Sequence, residues 1–160
     1  MVDPYRLGRA LYTNMHKVNE YIYIGNRRAS EDIKTLTSER IVKILQLLDF
    51  YIPNEREYDI EIKFIQIEDS ETQTLEYILP EALRFIHNAV LNRQKILIHC
   101  NAGVSRSGSI LVAYLMASNK IDYKQALRMA KNSRPCIDPN PGFAKQLNSL
   151  DINYLQSLIN

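Results

Sequence analysis

The chain has 160 residues, 46% of them hydrophobic and 24% charged, the profile of one globular domain with a sizeable core and no room for a second. Its net charge of +2 arises from Lys and Arg interspersed with Asp and Glu, so charge by itself argues for neither nucleic acid nor a membrane surface. The two cysteines, Cys100 and Cys136, make no disulfide framework, no cluster of His and Cys suggests zinc, and a reducing compartment is the expectation.

The N-terminus lacks a charged-then-apolar signal pattern and a Gly at position 2, and no apolar run approaches the length of a membrane span. The expectation is a cytoplasmic chain, with the nucleus also open to it, and no membrane or nucleic-acid partner. Residues 3–12 space Tyr5, Leu7, Leu11 and Tyr12 as a short helix, with Asp3 as N-cap and Pro4 in the first position. The two tyrosines are expected to pack on the domain surface, with substrate contact the alternative. Residues 1–17 are read as a helical extension and residues 18–160 as the domain itself.

Within residues 18–24 the alternation Tyr21-Ile22-Tyr23-Ile24 predicts a strand, closed by Gly25-Asn26. A short helix is expected from Ser30 around Ile33 and Leu36. Residues 41–48 read as a central strand, Pro53-Asn54-Glu55 as a polar loop, and residues 60–67 as an alternating strand that ends at Glu68-Asp69-Ser70. Residues 75–91 carry an apolar face at helical spacing, with Pro80 in the first turn. A buried strand at 96–98 and a buried helix at 110–116 follow. A helix capped by Asp122 and stopped by Arg134-Pro135 comes next, then a final helix from Asn140-Pro141-Gly142 through Phe143, Leu147, Leu150, Ile152 and Leu155. This order indicates an α/β domain with a central mixed, mostly parallel sheet flanked by helices, in which ligands bind beyond the carboxyl ends of strands.

At one such end lies His99-Cys100-Asn101-Ala102-Gly103-Val104-Ser105-Arg106-Ser107, a tight loop fed by a strand and opening a helix. In that setting the backbone N–H groups of residues 101–106 can turn inward and form a concave anion site at the positive end of a helix dipole. Gly103 permits a turn that side chains resist. The amide dipoles and the Arg106 charge favour the thiolate, which makes Cys100 a nucleophile. The planar fork of Arg106 matches two oxygens of a tetrahedral phosphate. An ordinary buried thiol beside a surface arginine would leave the His, the Gly, the second Ser and both flanking elements unexplained.

This loop resembles the signature loop of cysteine-dependent protein phosphatases in their dual-specificity form. Ala113-Tyr114-Leu115-Met116 is similar to that family's helix motif, and the segment Arg134-Pro135-Cys136-Ile137-Asp138-Pro139-Asn140-Pro141-Gly142-Phe143 to its Arg-Pro to Gly-Phe segment. Tyr23-Ile24-Gly25 and Ile67-Glu68-Asp69-Ser70 fall where the family has its first strand and its acid loop. The resemblance implies a protein tyrosine phosphatase-like fold in which Cys100 forms a phosphocysteine while Asn101, Ala102, Gly103, Val104, Ser105 and Arg106 hold the phosphate oxygens. Asp69 takes the place of the general acid, with Glu68 and Glu71 its nearest rivals. Ser107 stabilises the departing thiolate, and His99 and Asn140 support the loop. Arg134 is read as a solvated helix-end arginine, with contact to a second substrate charge the alternative. Cys136 is read as an inert thiol, and His16 and His87 as ordinary surface histidines. The chemistry needs no metal or cofactor.

Lipid-directed relatives carry lysines between the cysteine and the arginine, and RNA-directed ones aromatic or charged residues; here residues 101–105 are neutral. The resemblance therefore implies phosphorylated proteins as partners, protein kinases among the candidates, and a shallow pocket accepting phosphotyrosine and phosphoserine or phosphothreonine. The alternatives are a phosphatase-like binding module and a phosphatase acting on a lipid, RNA or glycan phosphate.

Overall fold

The computed structural model describes residues 3–53 and 59–160. Asn54 and Glu55 of the expected polar loop lie outside the described residues. A five-stranded sheet runs in the order β1-β2-β5-β3-β4, built from β1 (Met15–Lys17), β2 (Ile22–Gly25), β3 (Ile41–Leu48), β4 (Glu61–Gln66) and β5 (Lys95–His99). β1 is antiparallel to β2, and every other neighbour pair is parallel. This is the expected mixed, mostly parallel sheet. β1 falls within residues 1–17, read from the sequence as a helical extension; its pairing with β2 makes residues 15–17 an edge strand of the domain's own sheet, and three residues are too few to show a period.

Strand alternation assigns the two faces of the sheet. Ile22, Ile24, Leu45, Leu47, Ile96 and Ile98 join the larger core, whereas Tyr23, Ile44 and Leu97 join a smaller one with Ala29 and Leu36. The smaller core is covered by α2 (Arg27–Glu31) and α3 (Ile33–Ser38). The helix expected from Ser30 is thus two short ones. Asn26 caps the first through Ala29 N–H, and Asp32 ends it and caps the second through Thr35 N–H. The larger core is covered by α4 (Leu79–Leu91), α5 (Arg106–Asn119), α6 (Tyr123–Ser133), α7 (Pro141–Asn148) and α8 (Ile152–Ser157). The single final helix expected from Asn140 breaks at Asp151, whose carboxylate takes the Asn153 N–H and starts α8.

α5 is buried at every position from Arg106 to Ala117. A helix that is apolar on all sides belongs inside a core, and its uninterrupted run Ile110-Leu111-Val112-Ala113-Tyr114-Leu115-Met116 fits that place. Its first turn begins where β5 ends, between parallel neighbours β2 and β3, with His99 level with Gly25 on one side and Gln46 on the other. The loop joining β5 to α5 therefore opens beyond the carboxyl edge at the point where the strand order reverses, the usual ligand position in open α/β sheets.

The N-terminal helix α1 (Arg6–Tyr12) begins later than expected. The Asp3 carboxylate takes the Tyr5 N–H at 2.9 Å and pairs with Arg9, so it shapes the turn before the helix while Tyr5 occupies the N-cap. Tyr5 and Tyr12 do not pack on the domain; they are 72% and 83% exposed. No helix among the described residues is long and apolar enough to cross a membrane.

His99 closes β5 fully buried, its Nδ1 3.0 Å from the Cys100 carbonyl oxygen. Burial lowers its pKa from the ordinary 6.5 to about 4. The fold holds this histidine neutral, so its contribution is complete above pH 6.5 and is lost as acid protonates the unfolded chain first. Between about pH 7 and about pH 4.5 the loss is about 2 to 3 kcal/mol. Urea unfolding at both values should show His99→Gln losing less stability on acidification than wild type; equal losses would refute the assignment.

Candidate active site

The reaction loop is defined by where its carbonyl groups point. The Asn101 carbonyl accepts from Arg27 N–H at 2.9 Å and the Val104 carbonyl from Asp138 N–H at 2.9 Å. Between them, Arg134 donates from Nη2 to the Ala102 carbonyl at 3.0 Å and from Nε to the Gly103 carbonyl at 2.8 Å. In a planar trans peptide the next N–H points the opposite way, so the N–H groups of Ala102, Gly103, Val104 and Ser105 face the concave side. Gly103 has φ of +71°, and a Cβ there would come within 2.6 Å of the Gly25 carbonyl oxygen. Only glycine makes both the turn and this approach to the end of β2.

Cys100 lies at the base of the loop, 2% exposed, with its Sγ 3.1 Å from Ser107 Oγ in the first turn of α5. Arg106 starts that helix and is buried. Its Nη1 donates to the Asp49 carboxylate and, at 3.2 Å, to the Ile67 carbonyl. Its Nε is also buried and has no acceptor among the described residues. The guanidinium is thus steered from the ends of β3 and β4 through one nitrogen, leaving a donor for a ligand.

Asp69 and Asn140 are brought to the same rim from distant parts of the chain. Asn140 Nδ2 donates to Asp69 Oδ1 at 3.0 Å, its backbone N–H donates to Ser105 Oγ at 2.9 Å, and its Oδ1 caps α7 through Phe143 N–H. The stretch carrying Asp69 is fastened to α7 by Gln146, which takes Leu75 N–H at 2.8 Å and donates to the Gln73 carbonyl at 2.8 Å. Gln73 in turn accepts the Glu68 N–H at 3.0 Å. A Cβ on Gly142 would lie 2.1 Å from the Glu71 carbonyl oxygen, so glycine is required where this stretch crosses the start of α7.

The structure thus gathers Cys100, Ser107, Arg106, Asp69, Asn140 and His99 around one loop. Several other residues sit differently from expectation. Arg134 is not a solvated helix-end arginine, nor is it free to meet a substrate charge. It is fully buried, and besides the loop carbonyls its Nη1 donates to the Thr13 carbonyl at 2.6 Å. The reason is local: α6 ends at Ser133, and the extended Arg134 directs its side chain inward under the loop. His16 is half-buried and accepts from Arg134 Nη1 at 2.9 Å; burial and that guanidinium hold its pKa below the ordinary value. His87 is also partly buried, with Nδ1 3.0 Å from the Tyr114 hydroxyl. Burial pushes the Cys136 thiol up, away from the reactive thiolate form.

The sequence reading does not single out Asp49. An acidic residue directly after a buried strand, on the same sheet edge as Asp69, was the available signal. Gln46, 2% exposed, braces the turn beyond it by taking Ile52 N–H at 2.8 Å and donating to the Ile52 carbonyl at 3.2 Å. Among the described residues no group of three or more His, Cys, Asp or Glu side chains is arranged to hold a metal ion.

Known proteins resemble this chain in sequence and in fold. The family model for the dual specificity phosphatase catalytic domain matches residues 22–153. Dual specificity protein phosphatase 19 of mouse is 35% identical over 136 residues, which cover 84% of this chain and 61% of the mouse protein. Dual specificity protein phosphatase 22-B of zebrafish is 35% identical over 142 residues, 89% of this chain and 76% of that protein. Among solved structures, DUSP15 superposes with a TM-score of 0.85 at 31% identity, covering 91% of this chain and 92% of its own. The human tyrosine phosphatase-like serine/threonine/tyrosine-interacting protein gives 0.83 at 26% identity, covering 89% and 98%. The matched stretch runs from β2 into α8 and so contains the anion loop with nearly all that braces it, which places the chain in the dual-specificity phosphatase family as a catalytic domain of that enzyme class.

Proposed function

We propose that this domain, whose sheet begins with β1 at Met15 rather than at residue 18, hydrolyses phosphotyrosine and phosphoserine or phosphothreonine in proteins through a phosphocysteine intermediate. The observation that carries the reading is the loop itself: inward N–H groups above the Cys100–Ser107 pair, 3.1 Å apart, with the Arg106 Nε donor buried and unmatched beside them. A phosphoryl group seated there gives its oxygens to the loop amides and to Arg106, where negative charge develops during transfer.

In the first step the Cys100 thiolate forms an S–P bond as the P–O bond to the substrate oxygen breaks, and protonated Asp69 delivers its proton to that leaving oxygen. In the second, water attacks phosphorus and gives a proton to the Asp69 carboxylate. The S–P bond breaks, inorganic phosphate forms, and the Ser107 hydroxyl donates to the returning thiolate. Asn140 holds both ends of this cycle, with one hydrogen bond to Asp69 and one to Ser105. Asp49 and the Ile67 carbonyl orient Arg106. His99, kept neutral by burial, braces the Cys100 carbonyl and takes no part in proton transfer.

The neutral side chains of residues 101–105 favour phosphoproteins over polyanionic lipid headgroups or RNA. Exposure of Asp69, Asn101 and Ala102 at the rim supports a shallow entrance that does not select the long phosphotyrosine side chain alone. Phosphorylated signalling proteins, kinases among them, are the substrate class this suits, and a reducing cytoplasm or nucleus suits its free thiols.

Replacing Cys100 with Ser should abolish p-nitrophenyl phosphate hydrolysis, by on the order of 10⁴-fold or more; equal measurable rates from variant and wild type would remove the mechanism, and absence of turnover in the wild type would favour a binding module. For Asp69→Asn, kcat/KM on a phosphotyrosine peptide should fall by about 10²- to 10³-fold. Because the acid must be protonated to act, the high-pH decline of the bell should flatten in the variant, and an unaltered bell would move the role to Glu68 or Glu71. Given a peptide phosphorylated on both threonine and tyrosine, the wild type should release phosphate from each; complete inertness toward one would overturn dual specificity.

A further inference from the structure

Next to the reaction loop, a cleft of about 350 Å³ lies between the end of α1, the start of α2 and the loop, walled by Leu11, Tyr12, Arg27, Arg28, Asn101 and Ala102 among others. No acidic residue lines it. Arg27 spends part of its charge on Glu31, 3.0 Å away on the next turn. Arg28 is exposed and has no ion-pair partner among the described residues. Their position is fixed relative to the loop, because the Arg27 N–H holds the Asn101 carbonyl at 2.9 Å. Asn26 secures the same turn by capping Ala29 N–H at 3.1 Å and donating from Nδ2 to Asn14 Oδ1 at 3.1 Å. The opposite wall is apolar, with Leu11 42% and Tyr12 83% exposed.

Asn101 and Ala102 belong to both the loop and the cleft. Both are exposed at the rim, and one or two residues of extended peptide, about 3.5 to 7 Å, is the reach available to a side chain next to a loop-bound phosphate. Of the other cations at the loop, Arg106 faces the phosphate itself and Arg134 has its donors occupied beneath the loop. We infer that the cleft is a substrate subsite for an anionic residue flanking the phosphorylated one, a carboxylate or a second phosphate, with Arg28 as its specificity-determining cation and Arg27 and Tyr12 as its walls. The inference rests on the phosphatase reading and adds to it a preference among phosphopeptides. A second phosphate, with charge of about −1.5 to −2, should gain more from Arg28 than a carboxylate.

The test uses phosphotyrosine peptides of one length whose flanking residues are alanine, glutamate or phosphothreonine, with tyrosine release followed optically. In the wild type, kcat/KM for the glutamate peptide should exceed that for the alanine peptide by about three- to tenfold, more for the phosphothreonine peptide. The difference should lie in KM and shrink with added salt. Each ratio of anionic to neutral peptide should fall to about one in Arg28→Ala, invert in Arg28→Glu and persist in Arg28→Lys; because it is a ratio, general damage to the enzyme leaves it unmoved. A wild-type ratio of one, or a ratio unchanged in Arg28→Glu, overturns the subsite while p-nitrophenyl phosphate turnover continues. Absence of that turnover in the wild type fails the phosphatase reading, and the subsite with it.

Discussion

A cup of inward-facing N–H groups has an unavoidable counterpart, a row of carbonyl groups facing out of it. Peptide planarity imposes this, and carbonyls turned toward the protein interior need donors. Here the donors come from three separate places: the Arg27 backbone after β2, the Arg134 side chain after α6, and the Asp138 backbone before α7. The loop holds an anion-binding conformation because these segments converge beneath it.

Arg134 is the most demanding of the three. Burial works against its charge, an effect partly offset by the Cys136 and Cys100 sulfurs. Its guanidinium meets the loop carbonyls, the Thr13 carbonyl and the His16 ring together, so that the planar fork ties the end of α1 and the edge strand β1 to the reaction loop. A lysine, with a single nitrogen at its tip, could not span those acceptors.

The acid side of the site is built by a separate set of contacts. Asp69 is exposed and lies beyond the end of β4, in a stretch whose own hydrogen bonds, Gln73 Oε1 taking Glu68 N–H and the Ser70 carbonyl taking Gln73 N–H, shape its backbone and leave its carboxylate to a partner from elsewhere. Orientation comes from α7, through Asn140 on the carboxylate, Gln146 on the backbone on both sides of Thr74, and the close passage of Gly142 under Glu71. Asn140 also touches Ser105, so the two halves of the reaction share one positioning residue. Helix α7 is in turn anchored by Phe143 and Leu147, both fully buried in the main core, and core packing thereby reaches the reacting atoms.

Read as letters, the chain declared the elements whose burial pattern is periodic. β3 was legible to the residue because six of its eight residues are apolar, with only Lys43 and Gln46 between them; α4 was legible from an apolar stripe with a proline in its first turn, and α6 because an apolar stripe and a cap coincide. The short pieces β1, α2, α3 and α8 were blurred, since a few residues carry too little period and their limits depend on single side-chain hydrogen bonds such as those of Asp32 and Asp151. The loop from His99 to Ser107 was readable because its chemistry is contiguous, and a family resemblance pointed from it to Asp69 and Asn140. The burial of Arg134, the pairing of Asp49 with Arg106, and the cleft that joins Tyr12 to Arg28 were not readable. Each depends on residues far apart in the chain meeting at one edge of the sheet, and only the strand order and the packing of helices around α5 decide which side chains arrive there.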